Sequence, residues 1–312
     1  MMSVRRIIFL LSCIFLLFSC SVKKFIPEGE YLLDDVDIIS NTHPDNAKKA
    51  ENYVRQKPNA KWLGILKVPM YTYSLSGLDS TKWINKAFRR MGEKPVIYSK
   101  KLHEGSRKNI QQMLLNDGYL HARVDTAVIF DKKNRRATAV YYLHEKERYY
   151  VSDFNIETND KEIERILMAD SAAITIKADM PFCVDGMEME RRRVTALLKD
   201  NGYYRFQKEH ITYIADTAHH SNKVNLKMRI LGFTPNAKAE PVNHKVYRVG
   251  KIHYVANAGL HLDDISFESC DTIDYGDHAV LYNGTPVLRK KVLNENTFVT
   301  PGELFSQSNV DR

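Results

Sequence analysis

An internal repeat limits what this chain can fold into more than any other feature of its sequence. Two segments, 104–119 and 188–203, align without a gap, and each contains apolar residues at positions i, i+3 and i+4, which form one face of an amphipathic helix. The aligned residues are Glu104, Arg107, Ile110, Met113, Leu114, Gly118 and Tyr119 in the first copy and Glu188, Arg191, Val194, Leu197, Leu198, Gly202 and Tyr203 in the second. A chain with such a period is expected to form a series of similar units.

Each predicted helix ends at a glycine. Gly118 follows Asp117, and Gly202 follows Asn201. Glycine is the residue that most readily takes the left-handed conformation found at helix C-caps. We therefore assign Gly118 and Gly202 as helix caps and expect a positive φ at both.

Two strand-like segments follow each glycine. In the first copy they are 121–130 and 136–145, and in the second they are 209–215 and 223–231. Their apolar residues alternate with more polar ones, and turn residues separate the two members of each pair, which predicts β-hairpins. Each copy is therefore expected to run helix, cap, strand, turn, strand.

A strand and a shorter helix are predicted ahead of each long helix. They cover 31–40 and 45–56 in the first unit and 150–157 and 160–168 in the second. The resulting order is β-α-α-β-β, and a unit of this size buries one face of a three-stranded mixed sheet under its two helices. The predicted fold class is α+β, with these units in tandem.

The repeat also sets the expected domain boundaries. We expect a first domain at 31–148 with an insertion at 59–92, and a second domain at 149–232. Pro235 and Pro241 indicate a linker at 233–244.

A third domain is expected at 245–312, in incomplete form. The spacing from Pro95 to Gly118 nearly equals that from Pro181 to Gly202, and the same spacing from Pro301 predicts a helix-ending glycine near 322–324. Residue 312 is the last one. On this expectation the strand 247–256 has no third-strand partner, 262–277 is an acidic insertion, and 245–312 is loosely held.

Residues 1–19 have the layout of a secretory signal peptide. Arg5 and Arg6 precede an apolar run, 7–18, which is shorter than the roughly 20 residues needed to cross a bilayer. The segment 17–20 resembles the lipobox of bacterial lipoproteins, which implies cleavage after residue 19, a lipidated Cys20 and a tether at 20–30. An ordinary signal peptide cut near Ser19 is the alternative, because Phe18 is bulkier than most lipobox residues.

The charge balance gives no support to nucleic-acid binding. Without Arg5 and Arg6 the mature chain has 44 basic residues against 38 acidic ones, which leaves a net charge of +6. The two signs are interspersed, and this pattern is typical of solvated surface faces.

No catalytic, cofactor or metal motif stands out. The sequence lacks H-E-x-x-H, G-x-S-x-G, G-x-G-x-x-G and the P-loop, so no enzyme activity and no cofactor are expected. The two adjacent histidines at 219–220 are interpreted as turn residues rather than zinc ligands. Asp271, Asp274 and Asp277 are spaced like part of a calcium loop, but Tyr282 stands where such a loop requires a glutamate. A disulfide between Cys183 and Cys270 is permitted and stays open.

The unit order resembles that of the POTRA domain. The insertion and the segments beside it, 56–64 and 92–98, resemble the TamA-like lipoproteins (TamL) of the BamA/TamA outer-membrane assembly family of Bacteroidetes. The resemblance implies a lipid-anchored protein of the outer membrane that faces the periplasm. It also implies unfolded outer-membrane proteins and a TamB-like inner-membrane protein as partners. Full-length relatives continue into a membrane β-barrel, and no series of barrel-type strands follows residue 245.

A three-stranded sheet leaves strand edges unpaired, and such an edge can accept a strand from another chain. In the family's arrangement the strand after each Gly-Tyr pair is the edge strand. The expected client-binding residues are Val124, Val128, Phe130, Ile211, Thr212 and Tyr213. The leading interpretation is a client-binding scaffold of outer-membrane protein assembly or translocation. A lipoprotein spacer or envelope-organising protein without client binding is the alternative, followed by a periplasmic hydrolase.

Overall fold

The computed structural model describes residues 22–217, 221–236, 239–255, 270–282 and 290–312. Cys20, the signal peptide, the pair at 219–220 and part of the expected acidic insertion lie outside the described residues. The chain divides into two compact units, Met1–Tyr149 and Tyr150–Arg312.

The first unit contains one three-stranded sheet and four helices within its described part. The order in the sheet is β1-β3-β2, with β1 parallel and β2 antiparallel to the central β3. A 3-10 turn, Glu51–Tyr53, follows α1. The elements are β1 Leu32–Ser40, α1 Pro44–Ala50, α2 Val68–Ser74, α3 Trp83–Met91, α4 Lys100–Asn116, β2 Arg123–Asp131 and β3 Arg136–His144.

The core of the first unit lies between the sheet and the helices α1 and α4. Ile110, Met113 and Leu114, the apolar residues of the repeat, are fully buried there against Tyr141 of the central strand. The i, i+3, i+4 spacing therefore marks the buried face of α4, as the sequence predicts.

The first helix is shorter than the predicted 45–56. It begins at Pro44, where the missing N–H of proline costs no hydrogen bond. It ends at Ala50, and the chain then tightens into the 3-10 turn before Val54 becomes extended and enters the core. The insertion 59–92 contains two short helices, α2 and α3, and no helix in the described residues is long and apolar enough to cross a membrane.

The second unit repeats this architecture. Its first sheet has the order β4-β6-β5 with the same parallel and antiparallel pairings. This sheet and that of the first unit also shift register at the same place, between Leu33 and Asp35 in β1 and between Val151 and Asp153 in β4. The elements are β4 Tyr150–Thr158, α5 Lys161–Ala169, α6 Val184–Asp200, β5 Ile211–Asp216 and β6 Lys223–Ile230. The predicted α+β class and the β-α-α-β-β order are confirmed.

The last part of the chain holds a third sheet, which the sequence did not predict. The order is β7-β9-β8, and β7 pairs in parallel with β9, so the expectation that 247–256 has no strand partner is wrong. The partner strand, β9, forms a hairpin with β8. The turn of this hairpin contains Gly276, whose φ is +94°, and lies at the end of the expected acidic insertion. The elements are β7 Ile252–Val255, β8 Asp271–Asp274, β9 His278–Tyr282, α7 Lys290–Glu295 and α8 Gln307–Val310.

Gly118 and Gly202 both have a φ of +92°. Each forms the paired hydrogen bonds of a Schellman cap. In the bond of each pair that spans more residues, Tyr119 N donates to Leu114 O at 3.0 Å, and Tyr203 N donates to Leu198 O at 3.1 Å. The cap glycine carbonyls then accept from the residues that precede the next strands, Tyr149 N at 2.9 Å for Gly118 and Tyr247 N at 2.8 Å for Gly202.

We expect Gly202→Ala to destabilise the protein more than Gly276→Ala. Both glycines have a positive φ. That conformation costs an L-residue about 1–2 kcal/mol. A Cβ at Gly202 would also lie 2.7 Å from Val246 Cγ1, whereas nothing lies within 4 Å of one at Gly276. Urea denaturation of the two variants measures the difference, and equal stability of Gly202→Ala and the wild type would reject the cap assignment.

Candidate functional site

The strands β2 and β5 lie at the edges of their sheets. Each pairs with the central strand on one side, and no other described strand pairs with its outer side. The two strands follow the Gly-Tyr pairs of the repeat, at the position where the sequence places its client-binding residues.

The hydrogen bonds of the first sheet show which backbone groups of β2 point outward. Leu32 N donates to Arg135 O at 2.9 Å, so the odd-numbered residues of β3 direct their backbone groups at β1. The even-numbered residues of β3 bond to the odd-numbered residues of β2 opposite them. The backbone N–H and C=O groups that point away from the sheet are those of Val124, Thr126, Val128 and Phe130.

The same geometry in the second unit's sheet corrects one predicted residue. Tyr150 N donates to Asn222 O at 2.9 Å, and Leu231 N donates to His210 O at 2.7 Å. The odd-numbered residues of β6 therefore face β5. Thr212 stands opposite Arg229 and directs its backbone groups inward, so it offers no backbone donor to an added strand. The residues of β5 with outward backbone groups are Ile211, Tyr213 and Ala215, but the N–H of Ile211 already donates to Lys208 O.

The opposite edges of both sheets are partly covered. The segment before α4 bonds to the start of β1 through Leu33 N and Val96 O at 2.8 Å. The segment before α6 does the same for β4 through Val151 N and Met180 O, also at 2.8 Å. These contacts leave β2 and β5 as the more accessible edges for strand addition.

Both accessible edges contain an uncharged stretch, Thr-Ala-Val-Ile-Phe at 126–130 and Ile-Thr-Tyr-Ile-Ala at 211–215. Proteins commonly protect sheet edges with charges, proline or bulges. Neither stretch contains a charge or a proline, and neither shows a register shift against its central strand.

Several predicted side chains belong to the cores of the units. Val124 and Ile211 are buried, and the Tyr213 hydroxyl donates to Met187 O at 2.9 Å under α6. Burial raises the pKa of Tyr213 far above its usual value, so this phenol stays neutral. Contacts with a bound strand would therefore be made mainly by the backbone at these positions.

Phe130 differs, because its ring lies beside a groove at the end of β2. The ring centroid of Phe130 is 4.6 Å from that of Tyr31 and 6.0 Å from that of Tyr98. These three residues help to line an open groove of about 640 Å³. The groove could accept an apolar side chain of a strand paired with β2.

The buried acid Glu190 has a structural explanation. Burial alone would raise the pKa of Glu190, but hydrogen bonds from Arg193 and Thr175 outweigh burial and lower it. Thr175 N donates to Glu190 at 2.8 Å, and Ser106, at the equivalent position of the first unit, accepts from Arg55 N at 2.9 Å. In both units this position fixes the chain that follows the first helix.

The described residues contain no cluster of three or more His, Cys, Asp or Glu side chains that could hold a metal ion. Two of the aspartates considered for calcium have other partners. Asp274 pairs with Lys251 at 2.6 Å, and Asp277 contacts the His278 ring at 2.6 Å.

Comparison with known proteins gives structural similarities only. No family model matches the chain, and no curated protein matches its sequence. The chain is similar to BamA POTRA3-5 of Haemophilus influenzae, with 12% identity, a TM-score of 0.41 and coverage of 92% of this chain and 85% of that one. It is similar to POTRA1-3 of Omp85 from Anabaena, with 12% identity, a TM-score of 0.23 and coverage of 67% and 98%.

A third similar structure is CdiB from Escherichia coli, with 8% identity and a TM-score of 0.23; the match covers 67% of this chain and 28% of that one. All three structures have TM-scores below 0.5. The strand order, the pairing and the shared register shift of the first two sheets agree with the β-α-α-β-β units that the sequence predicts.

We expect proline to be tolerated at Thr126 and not at Ala127. Both side chains are exposed, but only the N–H of Ala127 points at β3, where its loss leaves a ladder hydrogen bond unmade. Ala127→Pro should cost at least about 1–2 kcal/mol more than Thr126→Pro in urea denaturation. The reverse order would contradict the assignment of the outward groups.

Proposed function

We propose that this chain is the periplasmic arm of an outer-membrane protein assembly or translocation factor of the BamA/TamA family, and that it captures client strands at the edges of its sheets. One observation carries the proposal, namely the outward row of backbone donors and acceptors from Val124 to Phe130 on β2. The chain acts as a binding scaffold and performs no chemistry of its own.

Strand addition suits such a role because the main chain supplies most of the contacts. An outer-membrane protein presents many alternating strands while it is unfolded, and these share a backbone pattern more than a sequence. The uncharged stretch on β2 and the groove beside Phe130 would select strands with an apolar residue at one position. The outward groups of Tyr213 and Ala215 would form a second, shorter edge of the same kind.

We further propose that the chain is a TamA-like lipoprotein anchored through Cys20 in the outer membrane and facing the periplasm. The lipobox-like segment 17–20 supports this proposal. The residues just after it lie on the first unit, because Val22 and Ile26 are buried against Leu32 and Met70. Unfolded outer-membrane proteins and a TamB-like protein of the inner membrane are the proposed partners.

Photo-crosslinking with a purified client tests the proposed edge. A photoreactive phenylalanine analogue is placed at Thr126, on the outer edge of β2, and as a control at Tyr142, which is partly exposed on the central strand. An outer-membrane barrel protein is then diluted from urea into each variant. We expect crosslinks at Thr126 and none at Tyr142, since β2 has outward backbone groups for the client strand and the central strand β3 is paired on both sides.

Two additions make this test specific for backbone pairing. A synthetic client-strand peptide should compete for the crosslink, whereas the same peptide N-methylated at alternate residues should not. Thr126→Pro should weaken peptide binding by about two- to tenfold, the value of one hydrogen bond. Equal crosslinking at both positions, or equal competition by the methylated peptide, would reject strand addition at β2 and leave a spacer without client binding.

A further inference from the structure

The insertion 59–92 exposes several large apolar side chains. They fall in two runs in which nearly every residue is exposed, 61–65 and 78–84. Leu63 is 96% exposed, Trp83 is 79% exposed and Trp62 is 61% exposed, and Ile65 and Leu78 are similar. Such clustering of exposed apolar side chains marks an interaction surface in most proteins.

The first run is a tight turn that holds its apolar side chains away from the core. Trp62 N donates to Leu66 O at 2.7 Å, and Leu66 N returns a bond to Trp62 O at 3.1 Å. Leu63 has a φ of +49° and Gly64 a φ of +72°. Leucine seldom adopts this left-handed conformation. The turn is therefore closed by its own backbone hydrogen bonds while Trp62, Leu63 and Ile65 face solvent.

The second run is fixed to α3. Asn85 accepts from Gly77 N and donates to Asp79 O, both at 2.7 Å. Arg89 donates to Gly77 O and Leu78 O, both at 2.9 Å. These bonds hold the loop before α3 against the inner face of the helix.

The outer face of α3 combines an aromatic residue with positive charge. Trp83, Lys86 and Arg90 are spaced i, i+3 and i+7, so they share one face. Trp83, Lys86 and Arg90 are all exposed. Lys82, Lys86 and Arg90 form no ion pair with any residue that the structure describes.

The insertion carries most of the net charge of the mature chain. It has six basic residues and one acidic residue, Asp79, a net charge of +5, whereas the whole mature chain has +6. The rest of the chain is therefore nearly neutral. Lys61 and Lys67 pair with Asp35 and Asp34 of β1, so the exposed positive charge without an ion pair among the described residues lies on Lys82, Lys86 and Arg90, in and next to α3. Such charge together with exposed tryptophan and leucine matches the interface of an anionic lipid bilayer.

The segment that follows the expected lipid anchor in the sequence packs against the insertion. Phe25 packs on Tyr73 of α2 with ring centroids 5.2 Å apart, and the Arg89 guanidinium lies 5.8 Å from the Phe25 ring. Cys20 stands two residues before Val22 in the sequence. A lipid on Cys20 would hold the insertion at the membrane surface.

We propose that the insertion 59–92 seats on the anionic surface of the membrane that holds the chain, with Trp62, Leu63, Ile65 and Trp83 in the headgroup region. The inference rests on the anchoring at Cys20 within the proposed function and adds a second membrane contact to it. A lipoprotein cysteine carries several acyl chains and holds the chain on the membrane by itself, so the second contact would fix how the insertion lies against the membrane surface.

The chain's own fluorescence tests this proposal, because Trp62 and Trp83 are its only tryptophans. The lipidated full chain is mixed with vesicles of phosphatidylethanolamine and phosphatidylglycerol that carry brominated acyl chains. We expect a blue shift of the emission and quenching by bromine. Both effects should decrease in phosphatidylcholine vesicles and at high salt, since the positive charge contributes to seating.

Variants separate seating from anchoring. Leu63→Ser with Ile65→Ser should lower the ratio of seated to unseated insertion by about tenfold or more, because two exposed apolar side chains lose their burial in lipid. Lys86→Gln with Arg90→Gln should lower it in anionic vesicles only. Ile129→Ser, a change at an apolar side chain with an exposure similar to that of Trp62, should leave the fluorescence unchanged.

Three outcomes would overturn the proposal. If the chain sediments with vesicles but its tryptophan emission shows no blue shift and no quenching, the membrane contact of the insertion is wrong and the lipid anchor at Cys20 is retained. If the chain does not sediment at all, both are wrong, and client capture at β2 is unaffected. If the blue shift appears without vesicles and grows with protein concentration, the surface binds a second copy of the chain instead.

Discussion

The structure depends on a hydrogen-bonded helix end that occurs twice. At Gly118 and Gly202 the chain leaves a long helix in a Schellman cap with a φ of +92°. The glycine carbonyl then accepts from Tyr149 or Tyr247, the residues that precede the next strands. A side chain at either position would oppose the left-handed backbone. The two glycines therefore fix the direction of the edge strand that follows each of them.

The function we propose follows from the strand order that this cap makes possible. The last strand of each repeat returns to the centre of the sheet, so the strand directly after the cap is left at the edge. The opposite edge is partly covered by the segment that leads into the long helix. Each of the two sheets thus has one edge at which backbone groups are available for pairing. Side chains of these edge strands, such as Val124 and Tyr213, pack into the cores of their units.

Local sequence patterns predicted much of this fold, and pairing between distant segments explains what they missed. The faces of α4 and α6 and the positions of their caps follow from residues within a few turns of each other. The third sheet was missed because β8 and β9 are short and because β9 pairs with β7, a strand more than 20 residues earlier in the chain. The inward direction of Thr212 depends on the register of β5 against β6, which no residue near Thr212 specifies. The first helix was predicted too long because a 3-10 turn has nearly the same apolar spacing.

The most direct test of the account is amide hydrogen exchange along β2, residue by residue, with and without a client-strand peptide. In the unbound chain we expect Asp125, Ala127 and Ile129 to be protected by β3 while Thr126, Val128 and Phe130 exchange rapidly. Bound peptide should protect the second set and leave the first unchanged. Protection of all six amides without peptide, or no change at Thr126, Val128 and Phe130 when the peptide binds, would contradict strand addition at this edge.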